Sequence, residues 1–228
     1  MYHAFETWES ATRAARRIYD PFAYRVVLQE RLVPIVPAEA MTLAPRWPVM
    51  WQRDTHGDAD LVVLRGLAPE TEVPGAQTVA RTSLPLLLQA YPFRFRTPDS
   101  DEIGLDRTAP MRERDAGSYI LDPHGHLLPG AEMKLQALEA WRAERDLRKR
   151  LTEIVLRHDL LEPVVLPETV TTRFNLPDFL VVVTNPDDRL IFGSLPREDW
   201  QNAARFLAAQ RMSLYTMAGL IARSTGTS

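Results

Sequence analysis

The chain contains no cysteine. Disulfides, thiolate metal sites and cysteine nucleophiles are therefore excluded within it. Lysine is nearly missing: Lys134 and Lys149 stand among 27 basic residues that are otherwise arginine, a balance we read as genomic base composition. The 10 glycines never cluster, which leaves no glycine-rich phosphate cradle. There is no excess of charge either. A net charge of -3 gives no electrostatic case for nucleic acid or an anionic membrane. No run approaches the ~20 apolar residues that span a bilayer. The opening MYHAFETWESATRAARR carries acidic residues and no apolar h-region, so it does not read as a secretory signal. A soluble cytoplasmic chain is the expectation, with no cofactor motif and no nucleic-acid partner.

What is present is an ordinary globular composition, 45% hydrophobic and 25% charged over 228 residues. That length suits one large domain or two small ones and buries a core without disulfides. We divide it into an N-terminal helical segment, residues 1–22, and a single domain, residues 23–228.

Residues 118–161 organise the rest. Tyr119-Ile120-Leu121, the turn Asp122-Pro123-His124-Gly125-His126, and Leu127-Leu128 read as a β-hairpin, with Gly125 supplying a positive φ. The longest helical pattern follows, residues 131–162, ended by Pro163. Ala137, Leu138, Trp141, Leu151, Ile154, Val155 and His158 share a face, and Glu139, Arg142, Arg148, Lys149 and Glu153 oppose it. The stripe thins at Glu144-Arg145-Asp146, where a break is expected.

Upstream, residues 5–19 read as a helix stopped by Pro21. Tyr24–Leu28 and Leu32–Val36 read as strands, the second pushed to an edge or shortened by Pro34. Pro37–Ala40 opens a short helix. Residues 48–52 and 60–66 form a hairpin. Ser83–Ala90 reads as a helix and Ile103-Gly104-Leu105 as a short strand. Downstream, Phe179–Thr184 is the strongest strand signal. Asn185-Pro186-Asp187-Asp188 then turns it back into Leu190-Ile191-Phe192. A helix follows Ser194, and a last one, Met212–Ala222, is apolar on most sides. Strands joined by hairpins, with helices gathered late, predict an α+β fold: antiparallel sheet packed by a long central helix and C-terminal helices.

The order of motifs resembles the bacterial SapC family over roughly residues 31–222. The carrying pieces are Leu32-Val33-Pro34 with Pro37-Ala38-Glu39, Trp47-Pro48-Val49, Leu64-Arg65-Gly66-Leu67, Tyr91-Pro92-Phe93, Leu121-Asp122-Pro123-His124-Gly125, Leu160-Leu161-Glu162-Pro163, and Met212-Ser213-Leu214 through Leu220-Ile221. The family name is linked to surface-layer proteins and shared with a peptide-transport permease. The resemblance implies gene neighbourhoods with halogenase-like and oxygenase-like proteins and TonB-dependent receptors. It carries over no catalytic residue. Residues 170–195 depart from the family pattern.

Several clusters invite chemistry. Asp122, His124 and His126 are the candidate metal ligands, but imidazoles two apart in a turn diverge, and a distant third ligand is required. Asp54, His56 and Asp58 form the one comparable loop. His158 on the apolar face reads as a core or boundary histidine. Asp99, Asp101, Glu102 and Asp106 form an acidic patch that suits a solvated loop. Ser83 and Ser213 lack nucleophile-elbow glycines. Tyr91–Arg96 interleaves aromatic and basic residues, as base-stacking segments do, but the acidic net charge favours a buried helix exit with two exposed arginines. The expected function is that of a non-catalytic accessory protein binding a protein or peptide partner through Met212, Leu214, Met217 and Ile221, with homo-oligomerisation as one form of it. The alternatives are a metal-dependent or pathway-associated enzyme and a surface-layer component. A permease is opposed by the absence of any spanning segment.

Overall fold

The computed structural model describes residues 4–54, 56–68, 73, 75–97, 100–109, 117–182 and 188–225, the side chains of 77, 224 and 225 excepted. The fold is α+β, and every strand pair in it is antiparallel. The chain divides into two compact units, each assembled from two separate stretches: residues 1–30 with 75–142, and residues 31–74 with 143–228. No helix among the described residues is long and apolar enough to cross a membrane.

In the first unit, Ile103–Asp106 is the middle strand of three, between Phe5–Thr7 and Phe93–Phe95. Gly104 is required there, because a Cβ would run into the Glu6 carbonyl and the Phe5 ring. The single helix read over residues 5–19 is instead a strand, a helix at Trp8–Arg13 and a second strand at Arg17–Ile18. Thr7 caps that helix, its hydroxyl accepting from the Ser10 amide at 3.3 Å. Ala15, at φ 48°, stops it. The strand expected over Tyr24–Leu28 is a helix, Arg25–Gln29, launched from the Pro21–Ala23 turn that Asp20 caps. Ser118–Tyr119 pairs with Arg17–Ile18. The hairpin read around Asp122 narrows to one bridge, Leu121 with Leu127. The helix Pro129–Ala143 then buries Ala131, Lys134, Ala137, Leu138 and Trp141. The Trp141 ring lies 5.8 Å from Phe95, and Trp8 lies 5.7 Å from Phe93.

The long helical pattern does break at Glu144, whose φ of -101° and ψ of 0° interrupt it before Arg145–Arg157. In the second unit that helix buries Leu147, Leu151, Ile154 and Val155. Arg148, assigned to its charged side, is buried as well and pairs with Asp60. The sheet runs Leu32–Pro34, Ala59–Leu64, Val49–Arg53, Phe179–Val182, Leu161–Pro163. The hairpin of residues 49–64 is present, and Pro34 sits on an edge strand as expected. Residues 183–187, which hold the expected Asn185-Pro186 turn, lie outside the described residues. The returning strand does not form, because Asp188–Ser194 is a helix with Ile191 buried. Glu168–Phe174 adds a helix the sequence did not suggest. The core gathers Met50, Val62, Leu64, Leu67, Val170, Phe174, Phe179, Met217 and Leu220. Trp51 packs edge-on against Phe206, and its indole N–H donates to Thr152 Oγ1 at 3.1 Å.

Candidate functional site

The first unit holds an open pocket of about 280 Å³. Ile18 to Pro21 form one wall. Arg81 and Gln89 come from the turn Arg81–Ser83 and the helix Leu86–Ala90. Ser118, Gly130, Met133 and Lys134 complete it. Arg81 and Asp20 pair with each other, both partly exposed. Lys134 is the exception in this lining, with 5% of its surface exposed.

Helical geometry put Lys134 there. Ala131, Lys134, Leu138 and Trp141 follow at three- and four-residue spacing, so one stripe carries them all inward. The Lys134 ammonium donates to the Tyr91 carbonyl oxygen at 2.5 Å and lies 5.6 Å from the centre of the Tyr24 ring. Among the described residues no carboxylate lies within ion-pair distance of it. The buried acid that Tyr91's own side chain binds, Asp106, is committed: Oδ2 accepts the Tyr91 hydroxyl at 2.8 Å, and Oδ1 accepts the Thr108 amide and hydroxyl at 3.0 and 2.9 Å. Burial, and after it the positive charge of Arg81, pull the Lys134 amine down to about 7. Burial, helped by the bond to Asp106, pushes the Tyr91 phenol up, and burial does the same to Tyr24. Both phenols stay protonated while the amine titrates near neutrality. A buried, half-protonated amine on the wall of an open pocket can present an N–H donor, a charge or a lone pair to a small molecule.

The sequence had marked other residues. Asp122 Oδ1 accepts the amides of His124 and His126 at 2.8 and 2.9 Å, and Oδ2 lies 3.2 Å from His126 Nδ1. These bonds, the His126 amide first, hold the Asp122 carboxyl below its usual range. The two imidazole centres are 6.3 Å apart. In the second unit Asp54 repeats the geometry, its Oδ1 accepting the amides of His56 and Asp58 at 2.8 and 2.9 Å. Gly125 and Gly57 both take positive φ. The two loops share an aspartate at the first position, histidine at the third and glycine at the fourth, and differ at the second and fifth; in both, the aspartate carboxylate caps backbone amides of the turn. Among the described residues no three His, Asp or Glu side chains are placed to hold a metal.

His158 ends its helix, with Nε2 3.4 Å from Ser194 Oγ. Ser213 is buried, donating to the Gln210 carbonyl at 2.6 Å and accepting from the Val49 amide at 2.8 Å. Asp101 is exposed, Glu102 pairs with Arg96, and Asp106 binds Tyr91, so these acids serve different roles. Asp99 lies outside the described residues. Phe93 and Phe95 point inward from a strand rather than a helix exit, and Arg94 and Arg96 lie over the Phe5 ring at 5.5 and 4.5 Å. Of the C-terminal candidates, Met212 is 58% exposed, Met217 is buried, and Leu214 and Ile221 pack against the second unit's core.

Fold and site together define an α+β protein carrying a small polar pocket with a buried amine. The chain belongs to the SapC family, whose profile matches residues 10–190. No curated protein and no solved structure matches it.

Proposed function

We propose that this SapC-family chain is a ligand-binding protein whose first unit takes a small organic molecule, with an acceptor oxygen of that molecule meeting Lys134. The observation that carries the reading is a lysine buried on the wall of an open pocket, bonded to a backbone carbonyl and, among the described residues, with no carboxylate within ion-pair distance. Burying such a group is costly, and a ligand oxygen offsets part of the cost. The volume lies near the lower end of ligand pockets. Because the chain has two lysines, selective isotopic labelling of lysine gives two side-chain signals. We expect propionate, propionamide or butanone to move the Lys134 signal saturably and leave Lys149 in place. Equal, non-saturating shifts at both lysines would remove the support for the reading.

A second reading, a protein partner at the C-terminal helices, draws on Met212 and Tyr215, which stand 58% and 88% exposed on either side of Leu214. Its simplest form is self-association. Light scattering should then find a dimer that Met212→Glu with Tyr215→Glu dissolves, and a monomer at all concentrations contradicts that form.

A further inference from the structure

We propose that Lys134 is a covalent capture site, forming a reversible imine with a small aldehyde or ketone in this pocket. The proposal rests on the reading of the pocket as a ligand site and names the ligand's chemical class.

Four features of the structure converge on it. The amine is desolvated, and desolvation beside a second cation is the environment that activates a lysine as a nucleophile. Its hydrogen bond to Tyr91 uses one N–H and leaves the lone pair of the neutral form available. Asp20, in the pocket lining, pairs with Arg81, and Asp106, bonded to the Tyr91 hydroxyl, also holds Thr108; neither forms an ion pair with Lys134 that would lock the nitrogen as an ammonium ion. Finally, the chain uses arginine for almost every positive charge and keeps lysine here. Arginine stays charged at any working pH; lysine alone of the two can shed its proton and attack carbon.

The chemistry balances without an oxidant or reductant. The Nζ lone pair adds to the carbonyl carbon, and the nitrogen's proton passes through pocket water to the oxygen, giving a carbinolamine. Loss of that hydroxyl together with the remaining proton on nitrogen, as water, leaves the C=N bond, and addition of water reverses the sequence. Arg81, in the same lining, favours the neutral amine at the outset.

The test uses the full chain at pH 7 with butanone, glyoxylate and benzaldehyde as probes, each with cyanoborohydride to reduce any imine to a stable secondary amine, followed by peptide mass mapping. At least one probe should label Lys134 at least about tenfold faster than exposed Lys149, reflecting the larger neutral fraction of a low-pKa amine. Arg81→Gln should slow labelling of Lys134 several-fold and leave Lys149 unchanged. Labelling of Lys134 no faster than Lys149 with every probe overturns the imine. The comparison lies within one folded chain, so it needs no variant at Lys134. If propionate and propionamide still move the Lys134 signal while no probe labels it, the pocket reading stands and the imine falls; if neither occurs, both fall.

Discussion

Lys134 sets the expectations at the scale of the residue. Its folded value of about 7 lies below the ordinary 10.5, so between these values the unfolded chain binds more protons and stability rises with pH. The cost of burial is complete below about pH 7 and fades towards 10.5. Lys134→Met should therefore raise stability, relative to the parent, more at pH 6 than at pH 10, by a difference of about 3–5 kcal/mol in chemical denaturation. An effect independent of pH would show that the amine is not desolvated. Asp122 works with the opposite sign. Its folded value is lowered, so its contribution is present above the ordinary carboxylate range and is lost as pH falls through the folded value. Thermal unfolding at pH 7 should show Asp122→Ala costing more than His124→Ala or His126→Ala; the reverse order would show that the imidazoles, and not the carboxylate, hold the turn. The Asp122 cluster was legible in the sequence because Asp, Pro and Gly have local conformational preferences. Lys134 was not, since a lysine reads as solvent-facing until tertiary packing covers it. Two signals were present, its place on the stripe with Leu138 and Trp141 and the rarity of lysine, which composition alone had seemed to explain.

At the scale of elements, long patterns were readable and short apolar runs were not. The hairpin of residues 49–64 shows two apolar runs bracketing a polar loop, a pattern long enough to declare strands, and the break at Glu144 follows from a thinning stripe. Leu190-Ile191-Phe192 is too short for periodicity to separate strand from helix. Its helix buries Ile191 and sets Phe192 6.0 Å from Trp200, contacts no local rule reveals. The buried face of Pro129–Ala143 gives a direct comparison. Trp141 is 2% exposed and meets Phe95, whereas Arg142 pairs with Glu139 at the surface. Urea titration should find Trp141→Ala costing about 3–5 kcal/mol and Arg142→Ala less than about 1 kcal/mol. Equal losses would mean the helix packs by another face.

For the whole molecule, the consequence is set by connectivity. Each unit takes strands from both of its stretches: Phe5–Thr7 needs Ile103–Asp106, and Val49–Arg53 needs Phe179–Val182. A chain ended at residue 142 keeps the hairpin of residues 49–64 but strips its sheet neighbour, exposing an unpaired edge. We expect that chain to be insoluble or molten by near-ultraviolet circular dichroism; a native-like spectrum would show the pairing to be dispensable. The antiparallel α+β class was legible from the hairpins, but the division of the chain into 1–30 with 75–142 and 31–74 with 143–228 was not, because nothing local marks which distant strands pair.

The central claim, that an open pocket holds a desolvated amine, is tested most directly by titrating the Lys134 side-chain signal in lysine-labelled protein, assigned by its loss in Lys134→Arg. The account predicts a midpoint near pH 7 that rises when propionate fills the pocket. A midpoint near 10.5, unmoved by propionate, would contradict it.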